Sequence, residues 1–141
     1  MSQLNWKRQT NLCVTFVFYY FVESIKYLFI LTVVMQTLND LVEYLQNHVG
    51  PKITSYVAGF NNVNQLNQIP FGVTDVVEMR LRHAYETVRL ISEAYDDKTV
   101  KSWLFGNNTK LEEAHAFVLR HAETLEDLSC IVPLAKEFSS R

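Results

Sequence analysis

Cysteine is scarce in this chain: Cys13 and Cys130 are its only two, with no second thiol or histidine at ligand spacing. A disulfide framework and a thiolate metal site are both excluded, and the two read as free thiols of a reducing compartment. The four histidines (His48, His83, His115 and His121) fit no metal template such as His-Glu-x-x-His. No nucleophile stands at a spacing that would pair it with a base. The chain is therefore read as a non-enzyme that needs no cofactor. Basic residues are missing from one long stretch, since Lys52 is the only lysine or arginine between Lys26 and Arg80. Period-two alternation long enough for a strand is also missing, which points to an all-α fold.

What is present is a globular composition, 48% hydrophobic and 20% charged, in 141 residues, enough for one domain or a small domain with an appendage. The net charge of −2 is unevenly spread. Residues 1–34 carry Lys7, Arg8 and Lys26 against Glu23, whereas the remainder holds 10 basic and 14 acidic groups. That balance is a poor start for unspecific phosphate binding.

A composition break falls near Met35. Residues 12–34 are almost wholly apolar and aromatic, long enough for a membrane span of ~20 residues. Glu23 and Lys26 lie near the centre of that run, where each charge costs roughly 2.5–3.5 kcal/mol on insertion scales. Their three-residue spacing lets them pair along a helix. No small-x-small site follows, so a signal peptide is disfavoured. Three readings stay open for residues 1–34: a membrane anchor, an extra buried helix, or translated upstream sequence ahead of a start at Met35.

Beyond Met35 the pattern is helical throughout. Leu38, Leu41, Val42 and Leu45 form an apolar stripe within a helix from Gln36 to Val49, stopped by Gly50-Pro51. A short helix from Lys52 to Ala58 ends at Gly59. A third, capped by Asn61 or Asn62, runs from Val63 to Ile69 and stops at Pro70-Phe71-Gly72. The longest starts near Thr74 and reaches about Asp96, with Val73, Val77, Leu81, Ala84, Val88, Ile91 and Tyr95 making a near-heptad seam. Thr99 to Phe105 is another short helix. Thr124-x-x-Asp127 resembles a capping box for a last helix to Phe138, which Pro133 should bend or divide.

Two constellations carry candidate function. The short helices around Gly59–Asn62 outline a helix-turn-helix, with Pro51–Ala58 as the positioning helix and Val63–Ile69 as the recognition helix. Lys52, Asn62, Asn64, Gln65 and Gln68 are the candidate DNA-binding residues, because neutral amides can pair with adenine edges. The blander alternative is a polar solvent-facing helix. The second constellation is Trp103-Leu104-Phe105-Gly106, where Trp103, Phe105, Asn108 and Leu111 are candidate partner-binding residues, since exposed aromatics dominate interface hot spots. Its blander alternative is core packing. Arg80, Arg82 and Arg89 suggest a basic band, but the Glu78–Arg82–Glu86 and Arg89–Glu93 spacings favour a salt-bridged surface.

From Leu41 to Phe138 the chain resembles Xre-like antitoxins with an MbcA/ParS-type toxin-binding C-terminal domain. The likeness rests on Leu45–Gly59, on Arg80–Ile91, and on Trp103-Leu104-Phe105-Gly106-x-Asn108-x-x-Leu111-Glu112-Glu113. It implies a bacterial, cytoplasmic transcriptional regulator of a toxin–antitoxin system, with a helix-turn-helix-like region over 35–72 and a central helix plus toxin-binding-like region over 73–141. It also implies a cognate toxin, of the RES-domain kind, operator DNA and a homodimer. Where family members carry Arg, Lys and Trp around the recognition helix, this chain has Asn64, Gln65, Asn67 and Gln68. Two further readings compete with the antitoxin one: a membrane-anchored helical protein, and a stand-alone DNA-binding regulator.

Overall fold

The structure, a computed structural model, describes residues 17–26, 37–106 and 113–141. The chain divides into two compact units, Met1–Gln36 and Thr37–Arg141. In the first, the described residues 17–26 are helical (α1), and Lys26 Nζ lies 3.3 Å from Glu23 Oε1. The remainder of the apolar run 12–34 lies outside the described residues. Among the described residues no helix is long and apolar enough to cross a membrane.

The second unit holds all seven helical segments whose limits follow, and no strand occurs among the described residues. Helix α2 (Leu38–Val49) begins in a capping box: the Asp40 amide donates to Thr37 Oγ1 while the Thr37 amide donates to the Asp40 carboxylate. The apolar stripe then buries Leu41, Val42, Leu45 and Val49. Gly50 ends α2, and Pro51 occupies the first position of α3 (Pro51–Ala58), where its missing N–H has no intrahelical duty. Gly59, at φ +88°, closes α3 in the left-handed region.

The segment expected as a third regular helix is instead a 3-10 helix, Val63–Gln68. Its sequence explains the difference. Val63-Asn64-Gln65-Leu66-Asn67-Gln68-Ile69 repeats every three residues, the period of a 3-10 helix, so one row carries the apolar side chains. Leu66 and Ile69 in that row are buried.

Helix α4 (Asp75–Ser92), capped by Thr74, is the central element and packs mainly against α7 and α2. Leu81, Ala84, Val88 and Ile91 of the expected seam are buried, with Val73, Val77 and Tyr95 packed at its edge. It ends at Ser92, short of the expected Asp96, because Asp96 serves as cap of α5 (Asp97–Phe105). On its outer face Glu78 pairs with Arg82 at 2.6 Å, and Arg89 pairs with both Glu86 and Glu93 at 2.8 and 2.6 Å. The Glu86 carboxylate holds the Arg89 guanidinium above its ordinary pKa.

Helix α6 (His115–His121), absent from the sequence reading, follows the 107–112 segment. The last helix, α7 (Ile131–Ser139), starts later than expected. Thr124 and Asp127 do exchange hydrogen bonds, but these close a turn rather than open the helix. Pro133 is third in α7, inside the first turn where amides lack intrahelical acceptors, so the break falls before it. Leu128, Ile131 and Ala135 complete a core shared by every helix from α2 to α7.

Candidate protein-binding surface

Helix α5 decides what the Trp-Leu-Phe run can do. Its Asp96 cap accepts from the Thr99 amide at 2.9 Å and from the Thr99 hydroxyl, and these bonds hold the Asp96 carboxyl below its ordinary pKa. From that fixed start, Val100, Trp103 and Leu104 fall on one face at i, i+3 and i+4 and are buried. Phe105 stands about 100° further round and points outward, 47% exposed.

Trp103 is therefore a core residue, as in the alternative weighed beside docking, and is buried away from any partner. Its ring stacks on the His115 imidazole, with centroids 3.6 Å apart and planes 11° from parallel. His115 Nδ1 lies 2.9 Å from the Trp103 carbonyl oxygen. A carbonyl can only accept, so Nδ1 carries the proton and donates. Burial lowers the His115 pKa, opposed by that hydrogen bond to Trp103. The stack joins the end of α5 to the start of α6 across the 107–112 segment. Asn108 and Leu111 lie outside the described residues.

Phe105 packs against Tyr56 of α3, with ring centroids 5.9 Å apart. Arg120 of α6 lies over the same Tyr56 ring, its guanidinium carbon 4.7 Å from the centroid. The same guanidinium donates to the carbonyls of Tyr56 and Phe60, both at 3.0 Å, and to Asn61 Oδ1 at 3.1 Å. Arg80 of α4 donates to the Ala122 carbonyl at 2.8 Å and reaches the Ala58 carbonyl at 3.4 Å. Burial lowers its pKa. Two arginines thus donate to carbonyls at the C-terminal end of α3, where the helix dipole favours positive charge. Arg80, expected on a salt-bridged surface, is part of this latch.

One turn before Arg120, on the same side of α6, Phe117 is 38% exposed and its ring lies 4.0 Å from that of His121. Phe105, Tyr56 and Arg120 therefore make an aromatic patch with an arginine on it, and Phe117 is a further exposed aromatic on α6. Aromatics and arginine are the residue types that concentrate binding energy at protein interfaces. Nothing in the sequence shows that α3, α5 and α6 would bring Tyr56, Phe105 and Arg120 together. Phe105 is legible in the sequence as a candidate partner-binding residue, whereas Phe117 and Arg120 carry no local signal that marks them.

No family model, curated protein or solved structure matches the chain. The surface must be judged on its chemistry alone.

The expected DNA-reading residues occupy the turn and the 3-10 helix beside the latch. Asn62 Oδ1 accepts from the Asn64 amide at 2.9 Å, and Gln65 Oε1 accepts from the amides of Asn61 and Asn62 at 3.0 and 3.1 Å. Both side chains cap the 3-10 helix, so their acceptor oxygens are committed locally. A bidentate pairing with adenine needs an acceptor and a donor together. Asn64 and Gln68 are exposed and lie on separate rows of the 3-10 helix, and Lys52 is exposed near the start of α3. No cluster of three or more His, Cys, Asp or Glu that could hold a metal occurs among the described residues.

Proposed function

We propose that the Thr37–Arg141 unit is a protein-binding regulator of the antitoxin kind, working in the cytoplasm, which docks a partner toxin on the patch formed by Tyr56, Phe105 and Arg120. One observation carries this reading: Phe105 is held outward by a helix whose two preceding residues are buried, and it rests on an aromatic ring already fixed by an arginine. A preorganised aromatic of this sort loses little freedom on binding. The resemblance of Trp103–Glu113 to the antitoxin turn supplies the class of partner. The proposed action is occlusion of that partner, not catalysis.

Co-expression with the product of the adjacent gene, followed by affinity purification and a growth assay, tests the proposal. A stable complex and restored growth are expected. If the neighbour is toxic and the two proteins neither co-purify nor restore growth, the antitoxin reading fails.

Operator binding belongs to the same proposal in a reduced form. The exposed Lys52, Asn64 and Gln68 are the groups left to make it, with a dimer supplying the second half-site. So few positive charges predict weak DNA binding by the unit alone, with a shallow salt dependence. A mobility shift at several salt concentrations measures that slope, and steep loss of binding with salt would point to a different DNA surface.

A further inference from the structure

We infer that residues 17–26 form a helix that lies in the surface of an anionic lipid bilayer rather than crossing it. The helix α1 is two-faced. At 100° per residue, Val17, Phe18, Phe21, Val22 and Ile25 share one side, within about 140° of arc. Tyr19, Tyr20, Glu23, Ser24 and Lys26 occupy the other. Every one of the five apolar side chains is exposed, from 40% at Val22 to 69% at Val17.

Three features select a lipid surface as the occupant. The tyrosines lie with the charged pair and not with the phenylalanines, and tyrosine prefers the boundary between headgroups and acyl chains. Glu23 and Lys26 meet at 3.3 Å on that same side, where headgroups and water would solvate both charges. In a spanning helix they would sit near the middle of the apolar run, the costliest depth for charge. Finally, residues 1–34 carry Lys7, Arg8 and Lys26 against one acidic residue, which favours anionic headgroups over neutral ones. This inference is independent of the toxin-docking patch, which belongs to the other unit.

The test floats the full-length protein with phosphatidylcholine vesicles and with mixed phosphatidylcholine–phosphatidylglycerol vesicles. Flotation with the anionic vesicles should exceed that with neutral ones by about fivefold or more at low salt. Phe18→Asn combined with Phe21→Asn should cut it by about tenfold, whereas Tyr19→Asn with Tyr20→Asn should leave most of it. Unchanged thermal melting of the variants shows that the Thr37–Arg141 unit stays folded. Absence of flotation, or equal loss from the two pairs, would overturn the inference; equal loss is what all-round burial in a span or a protein partner gives.

Discussion

Gly59 occupies a position that no other residue could take without cost. Its φ of +88° lies in the left-handed region, and a Cβ built there would collide with Nη1 of Arg80. Gly59→Ala should therefore cost about 1–3 kcal/mol through backbone strain, with added loss from displacing the Arg80 latch. Denaturant unfolding measures it, and an unchanged midpoint would contradict the described latch. His115 carries the pH prediction. Burial places its pKa below the ordinary 6.5. The unfolded chain then binds a proton that the folded chain refuses, so this contribution is complete above about pH 6.5 and shrinks as pH falls below it. Relative to His115→Asn, whose amide nitrogen can stand where Nδ1 donates to the Trp103 carbonyl but does not titrate, the wild type should lose up to about 1.4 kcal/mol per pH unit on acidification. A difference that stays flat or grows in acid would exclude a neutral, buried His115.

At the scale of elements, Pro133 separates two accounts of the C-terminus. As the third residue of α7 it displaces no helical hydrogen bond, so Pro133→Ala should shift stability by less than about 1 kcal/mol. A proline in a helix interior would instead give a gain of about 3 kcal/mol on removal. Calorimetric melting distinguishes the two. The elements also show what the sequence could disclose. Leu38, Leu41, Val42 and Leu45 announce α2, and the Leu81–Ala84–Val88–Ile91 seam announces α4, because each side chain is placed by helical period alone. The triplet Val63, Leu66 and Ile69 carries a three-residue period that suits both an ordinary helix and the 3-10 helix it forms. Helix α6 was invisible for a physical reason: it is short, its cap residue Ala114 offers no side-chain hydrogen bond, and its apolar signal is little more than Ala116 and Leu119. The arginine latch spans 22 to 64 residues of sequence, so no local pattern could reveal it.

At the scale of the molecule, the Thr37–Arg141 unit is tied together by Arg80 and Arg120, which join α4 and α6 to the end of α3, and the proposed docking site lies beside that tie. The latch joins the end of α3 and Asn61 to α4 and α6. On the proposed reading, a partner seated on Phe105 would lie beside the latch and the 3-10 helix, a physical route by which toxin occupancy would alter operator binding. Phe105 is also the residue at which the docking claim can be separated from stability. Its side chain is half exposed, so its removal should change the melting temperature little, whereas Trp103→Ala should cost about 3–5 kcal/mol.

The most direct measurement is a calorimetric titration of the partner toxin into the wild-type chain and into Phe105→Ala, with melting curves for both. The account predicts equal melting and a dissociation constant raised about 30-fold or more, the mark of a hot-spot residue. Equal affinity for the two proteins would contradict it.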